Sequence, residues 1–185
     1  MNTLGRALVL KSWLWLIPLL LLAAILALLN SARVQAPLSA IRPAADPVRH
    51  AREARLVEID ARFRQGVVML RSGRHDQAAV AFHRVLELSP RLPEAHVNLG
   101  FALLGMDRPK AAHDFFMTAI DLKPDQVNAY YGLALALEKQ GDILGALGAM
   151  RTYVHRAPSD AAHLRKARAA IWEWEASRKP SKSNN

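Results

Sequence analysis

At 185 residues the chain has room for one folded domain plus extensions, and half of its residues are apolar. The absence of cysteine excludes disulfides, thiolate metal sites, haem attachment through a CxxCH and a lipidated N-terminal cysteine. The net charge of +9 is spread thinly, with 12 basic and 10 acidic residues between Ile59 and Pro158, and so argues against nucleic acid, which needs a concentrated basic face.

Residues 1–12 are a short basic start carrying Arg6 and Lys11. From Trp13 to Leu29 there follow 17 residues without a charge, WLWLIPLLLLAAILALL. As a helix this run spans about 26 Å at roughly 1.5 Å per residue, close to the hydrocarbon thickness of a bilayer. Trp13 and Trp15 fall near one end, where indoles favour the interface, and transmembrane helices tolerate a proline such as Pro18. The expectation is a retained, single-pass membrane helix. A cleaved secretory signal and a buried soluble helix are the alternatives. The run is longer than the ~7–15 apolar residues of a signal peptide. Its cleavage sites are also poor, with Asn30 at the −3 place before Ala32 and Pro37 directly after Ala36. Arg6, Lys11 and the terminal amine precede the run, and Arg33 and Arg42 follow it, a slight lean to an inside N-terminus. In a bacterium the rest of the chain would then be periplasmic.

Residues 30–45, with Pro37 and Pro43 and little periodicity, read as a tether. Asp46-Pro47 supplies a helix cap and a first-turn proline. From there one helix is predicted through an extension, 46–58, and on to Gly73. The next helices are predicted over Asp76–Leu88, Pro93–Met106, Arg108–Leu122, Val127–Gln140 and Asp142–Arg156. Ser159 caps a last predicted helix to about Arg178, and residues 179–185 are a polar tail.

These helices carry an echo of period 34: Ala78, Ala112 and Ala146; Phe82, Phe116 and Met150; Pro90, Pro124 and Pro158; Gly66, Gly100 and Ala134. Gln65, Leu99 and Leu133 form a partial further column. Small, large apolar and proline residues recurring in register mark stacked helical hairpins. Gly100 and Ala112 are small so that the two helices of a hairpin approach closely, while Phe116 and Leu99 fill the space between hairpins. Leu164, Ala167, Ile171 and Trp174 form an apolar stripe suited to covering the last open face.

The pattern resembles the tetratricopeptide repeat family, over repeats 59–92, 93–126 and 127–160 followed by a capping helix, 161–178. The second repeat matches at Leu99, Gly100, Leu103, Ala112, Phe116, Ala119 and Pro124, departing with His96. The third has Tyr130, Leu133, Ala134, Leu137, Ala146 and Pro158, with Met150 and Tyr153 as departures. The first keeps Gly66, Met69, Ala78, Phe82 and Pro90, but has Arg62 and Gln65 where an apolar pair belongs. An end repeat departs in this way because one side lacks a neighbour. The resemblance implies an all-α, right-handed solenoid of antiparallel hairpins, here preceded by one transmembrane helix.

It also implies a binding groove on the concave face. The matching positions hold Phe63, Arg64 and Val67; Val97, Asn98 and Phe101; Tyr131, Gly132 and Leu135. Arg71, Glu94, Glu138 and Lys139 fall toward the edges. An apolar, aromatic centre suits an amphipathic helix or an extended apolar segment of a client protein. Relatives that clamp a C-terminal carboxylate use Lys and Asn where Phe63 and Val67 stand, so no such clamp is expected. Alternatively, the extension 47–58 folds back over these residues.

Seven histidines include no HxxxH and no HExxH, and His96 and His83 sit in or beside packing columns, so no metal is expected. There is no GxSxG, Walker loop or GxGxxG, and Asp60, Glu94 and Asp125 are helix-start carboxylates. No catalytic residue and no cofactor are expected. The function expected is a membrane-anchored scaffold or adaptor, in one version an assembly factor for a cytochrome or other envelope complex. The alternatives are an accessory subunit buried in a larger complex, and an adaptor using the basic flanks on RNA or anionic lipid. Trp172, off the apolar stripe, is expected to be exposed, either to dock a partner or touch the bilayer or simply because the end helix is loosely packed.

Overall fold

The computed structural model describes residues 16–29 and 46–178, and every element among them is a helix. The basic start, Trp13 to Trp15, the tether and the tail lie outside the described residues. Two compact units divide the chain between Ala51 and Arg52.

The first unit holds α1, Leu16–Leu29, 14 residues of leucine, isoleucine and alanine with Pro18 in the first turn. Leu19 to Leu22, Ile25 and Leu26 are all more than half exposed. Among the described residues no helix is long and apolar enough to cross a membrane. The unit ends in the first turn of α2, Pro47–Arg71, where the Asp46 carboxylate accepts from the Val48 N–H at 3.0 Å.

The second unit is a row of antiparallel hairpins. α2 meets α3 (His75–Leu88) through Phe63 and Gly66 on Phe82. α4 (Pro93–Gly105) pairs with α5 (Pro109–Leu122) and α6 (Val127–Lys139) with α7 (Ile143–Arg156), and α8 (Leu164–Arg178) packs on α7. Each hairpin turns through a left-handed residue at the same place in the period: Gly73 at φ 72°, Asp107 at φ 55° and Gly141 at φ 82°. Around each the backbone closes alike, Arg74 N–H to Met69 at 2.9 Å, Arg108 to Leu103 at 2.9 Å and Asp142 to Leu137 at 3.0 Å. These bonds satisfy carbonyls that the helix ends would otherwise leave open. Proline then ends each second helix by disfavouring helical backbone in the residue before it.

The columns are packing sites. A Cβ on Gly66 would lie 2.7 Å from the Phe82 ring, and one on Gly100 2.7 Å from Phe116. Ala78, Phe82, Leu99, Ala112, Phe116, Ala134 and Ala146 are fully buried, and Leu133 nearly so. His96 is buried in its column, and its Nε2 lies 2.8 Å from the Pro90 carbonyl. One period later the Tyr130 hydroxyl donates to the Pro124 carbonyl at 3.0 Å. His96, a departure, and Tyr130, the bulky residue that belongs at this position, thus do one job, holding each repeat to the end of the one before.

The last helix starts later than Ser159. Ala161 N–H bonds to Pro158 at 3.0 Å and Leu164 N–H to Ala161 at 3.1 Å, so two turns come before α8. Its stripe does cover the array: Leu164, Ala167 and Trp174 are buried and Ile171 is half-buried. The Trp174 indole donates to Glu138 at 2.9 Å, and Arg151 pairs with Glu175 at 2.6 Å.

Candidate protein-binding groove

The first helices of the three hairpins, α2, α4 and α6, carry the groove residues. On α2, Phe63 is half-buried, edge-on to Phe82 with centroids 5.7 Å apart. Arg64, one residue on, is exposed and paired with Asp60. Val67 is half-buried one turn further along. On α4, Phe101 is half-buried and edge-on to Phe116 at 5.1 Å. Asn98 is half-buried, and its Nδ2 donates to the Glu94 carbonyl at 2.8 Å, a bond that fixes its rotamer. On α6, Leu135 is half-buried.

Three of the residues assigned to the groove lie beneath the surface. Val97 is only 4% exposed, and Gly132 is buried because Phe116 of the preceding hairpin lies against it; a Cβ there would be 2.2 Å from the ring. Tyr131 is 9% exposed because His163, from the turns before α8, stacks on it at 4.7 Å and 10°. Burial, with Tyr153 and Glu138 as lesser causes, pushes the Tyr131 phenol above its ordinary value. Burial does the same for Tyr153. Both phenols are therefore neutral packing groups at physiological pH.

What stays accessible is apolar at the centre: Phe63, Val67, Phe101 and Leu135, with Leu70 and Leu104 one turn beyond Val67 and Phe101. Phe101 lies 6.5 Å from Tyr131, so the aromatic centre continues toward His163. Leu70 and Leu104 were absent from the residues assigned by sequence, although their spacing from Val67 and Phe101 places them on the same helix face. The edges are charged and mostly satisfied. Glu94 faces Lys123 at 3.4 Å, Lys139 bonds to Asp107 at 2.8 Å, and Glu138 holds Trp174. Arg71 makes no ion pair among the described residues.

The stretch 52–58 does not cross this face. It continues α2 without a break, and Glu58 bonds to Arg84 at 2.8 Å while Arg55 donates to the Leu88 carbonyl, both on α3. A separate cleft of about 640 Å³ opens beside Arg62, Gln65, Met69, Val80 and Arg84. Arg62 and Gln65 are the first repeat's polar replacements for the buried His96/Leu99 pair of the second, so this cleft is the solvated end of the array.

Among the described residues no group of three His, Cys, Asp or Glu is placed to hold a metal ion. The places at which a carboxylate clamp would need Lys and Asn hold Phe63 and Val67, Val97 and Phe101, Tyr131 and Leu135. The surface can bury an apolar segment between paired charges.

Comparison with known proteins agrees with the repeat geometry. Two tetratricopeptide repeat family profiles match, over residues 69–120 and 97–161. The chain is 34% identical over 92 residues to a tetratricopeptide repeat and J domain-containing co-chaperone of Cryptococcus neoformans, covering 50% of this chain and 17% of that protein. It is 31% identical over 77 residues to cellulose synthase 2 operon protein C of Komagataeibacter xylinus, covering 42% of this chain and 6% of that one. The chain thus spans less than a fifth of either relative. Among solved structures, the second TPR domain of human RPAP3, in complex with the HSP70 peptide SGPTIEEVD, superposes with a TM-score of 0.59 at 15% identity. That match covers 65% of this chain and 98% of the domain. Profiles, hairpin turns and packing columns coincide on the same residues, and the chain belongs to the tetratricopeptide repeat family.

Proposed function

We propose that this chain is a membrane-anchored scaffold that holds a segment of a client protein on the face formed by α2, α4 and α6. The observation that carries this reading is the run of half-buried apolar side chains Phe63, Val67, Phe101 and Leu135 between edges whose charges are mostly paired. Such a surface gains by covering apolar area and offers few free charges for a polar ligand. The client segment is therefore an amphipathic helix or an extended apolar stretch. The peptide complex of the RPAP3 domain supports a peptide-sized ligand on this fold, while its acidic peptide would find no lysine clamp here. Membrane attachment is assigned to the run Trp13–Leu29, of which α1 leaves six large apolar side chains exposed. Assembly of an envelope complex is the pathway class that this architecture suits.

Site-specific photo-crosslinking in native membranes tests it. A photoreactive side chain at Val67 or Leu135 should capture one and the same client, and the same group at Thr118 on α5 should not. Equal capture from all three positions would overturn the groove reading. Extraction of the chain from membranes by alkaline carbonate would overturn the anchor.

A further inference from the structure

α8 closes the array with one face and leaves the opposite face uncovered. Leu164, Ala167 and Trp174 point inward, Trp174 with its indole hydrogen-bonded to Glu138. Two residues from that buried tryptophan, Trp172 is 75% exposed. Arg165, Ala169 and Ala176 stand within the same exposed arc at helical spacing, with Arg168 and Lys166 on its flanks. None of Arg165, Lys166 and Arg168 makes an ion pair or a side-chain hydrogen bond among the described residues. Of the two carboxylates on the helix, Glu175 is taken by Arg151, and Glu173 alone lies toward this side. The face is one large indole between alanine methyls, with three unpaired cations and the single carboxylate of Glu173 around it.

We propose that this face is a membrane contact of its own, lying on an anionic phospholipid surface. Trp172 would sit at headgroup depth, with Arg165, Lys166 and Arg168 against lipid phosphates. Indoles prefer that depth because the ring is apolar and its N–H still finds acceptors. Cations beside it gain from the negative potential of the leaflet. Ala169 and Ala176 let the helix lie close to the surface, as an interfacial helix must. A protein partner would meet too little apolar area here for a stable interface, which needs a packed core of many side chains. A single-stranded nucleic acid would need several stacking rings, and this face has one. The contact uses no groove residue, so it stands or falls apart from client binding.

The chain has no cysteine, so one introduced cysteine can carry a unique label. An environment-sensitive dye goes on full-length protein at Ala169→Cys, with Thr118→Cys as the control. Each is mixed with phosphatidylcholine vesicles with or without phosphatidylglycerol. The Ala169 dye should shift to the blue and brighten on the order of twofold on the anionic vesicles only. High salt should reverse the change, and the Thr118 dye should not respond. Trp172→Ser, and separately Arg165→Gln with Arg168→Gln, should abolish the response while helical circular dichroism is kept. Equal signals on both vesicle types, survival in both variants, or the same shift on adding single-stranded RNA without lipid would each overturn the assignment.

Discussion

The Asp107 carboxylate reaches across to Lys139 of the next repeat, Oδ1 to Nζ 2.8 Å, from a backbone at φ 55°. Gly73 and Gly141 hold the same left-handed place in the other two hairpins. Asp107 therefore combines a turn that favours glycine with a cross-repeat ion pair that glycine cannot make. L-residues are strained here, with Asp and Asn the best tolerated. Asp107→Ala keeps the strain and loses the pair, so its urea midpoint should fall. Asp107→Gly relieves the strain while losing the pair, so its midpoint should stay near the parent's. Gly141→Ala, with open space around the new methyl, should cost about 1 kcal/mol through backbone strain alone.

Glu58 and Arg84 tie the start of the first repeat to α3 at 2.8 Å. The hydrogen bond from Arg84 is the main cause that holds the Glu58 carboxyl below its ordinary value, with the charges of Arg84 and Arg62 helping and desolvation opposing. Asp107 is lowered likewise by Lys139. A carboxylate with a depressed folded value stabilises the fold fully above its unfolded value. That contribution is lost as pH falls through the folded one. Glu58→Gln should therefore lower the thermal midpoint at neutral pH. The gap to the parent should close between about pH 5 and pH 2. A gap that persists undiminished in acid would show that Glu58 acts by packing.

The Phe116 ring is held from two sides, by Gly100 of its own hairpin and by Gly132 of the next. A methyl at Gly132 would lie 2.2 Å from the ring, and one at Gly100 2.7 Å, so the ring has no free side to move to. Gly132→Ala should cost about 2 kcal/mol by overpacking, despite the better helix propensity of alanine. Phe116→Leu should recover part of the loss when added to it. Gly148 on α7 is exposed and meets nothing within 4 Å, and Gly148→Ala should stabilise by about 0.5–1 kcal/mol. Urea unfolding of the whole chain in mild detergent measures both.

How far the fold was legible follows from these same residues. Columns at period 34 named the hairpins because several of them are contacts repeated from hairpin to hairpin, such as Gly66 on Phe82 and Gly100 on Phe116. Contacts that cross from one repeat to the next were harder to read. Gly132 took the place of a groove residue, yet it lies beneath a ring 16 positions earlier. Asp107 was a weaker sign of a left-handed turn than Gly73 or Gly141, since Asp adopts that backbone far less readily than glycine. Ser159 looked like a helix cap, but the Pro158 and Ala161 carbonyls close two turns instead and delay the helix to Leu164. Those turns supply the one cover on the groove that no repeat column foretold.

That cover is His163. Its ring lies flat on Tyr131 where a ligand side chain would otherwise stack, so the accessible groove ends near Phe101 and Leu135. The ring is carried by a turn and belongs to an exposed residue, which makes it a part of the face that can be removed at little cost. His163→Ala should leave the fold intact and expose the Tyr131 ring. Burial is the first cause of the raised Tyr131 phenol, so its value should fall toward the ordinary one. Site-resolved nitration at fixed pH reads both effects, because exposure and phenolate fraction rise together. Half-buried Tyr130 serves as the internal standard. In the parent, Tyr131 should react far more slowly than Tyr130; in His163→Ala the two should approach each other. Client capture from a photoreactive group at Leu135 should then extend to one at Tyr131 in the variant alone. Equal nitration of Tyr130 and Tyr131 in the parent would mean that the stack does not close the groove in solution.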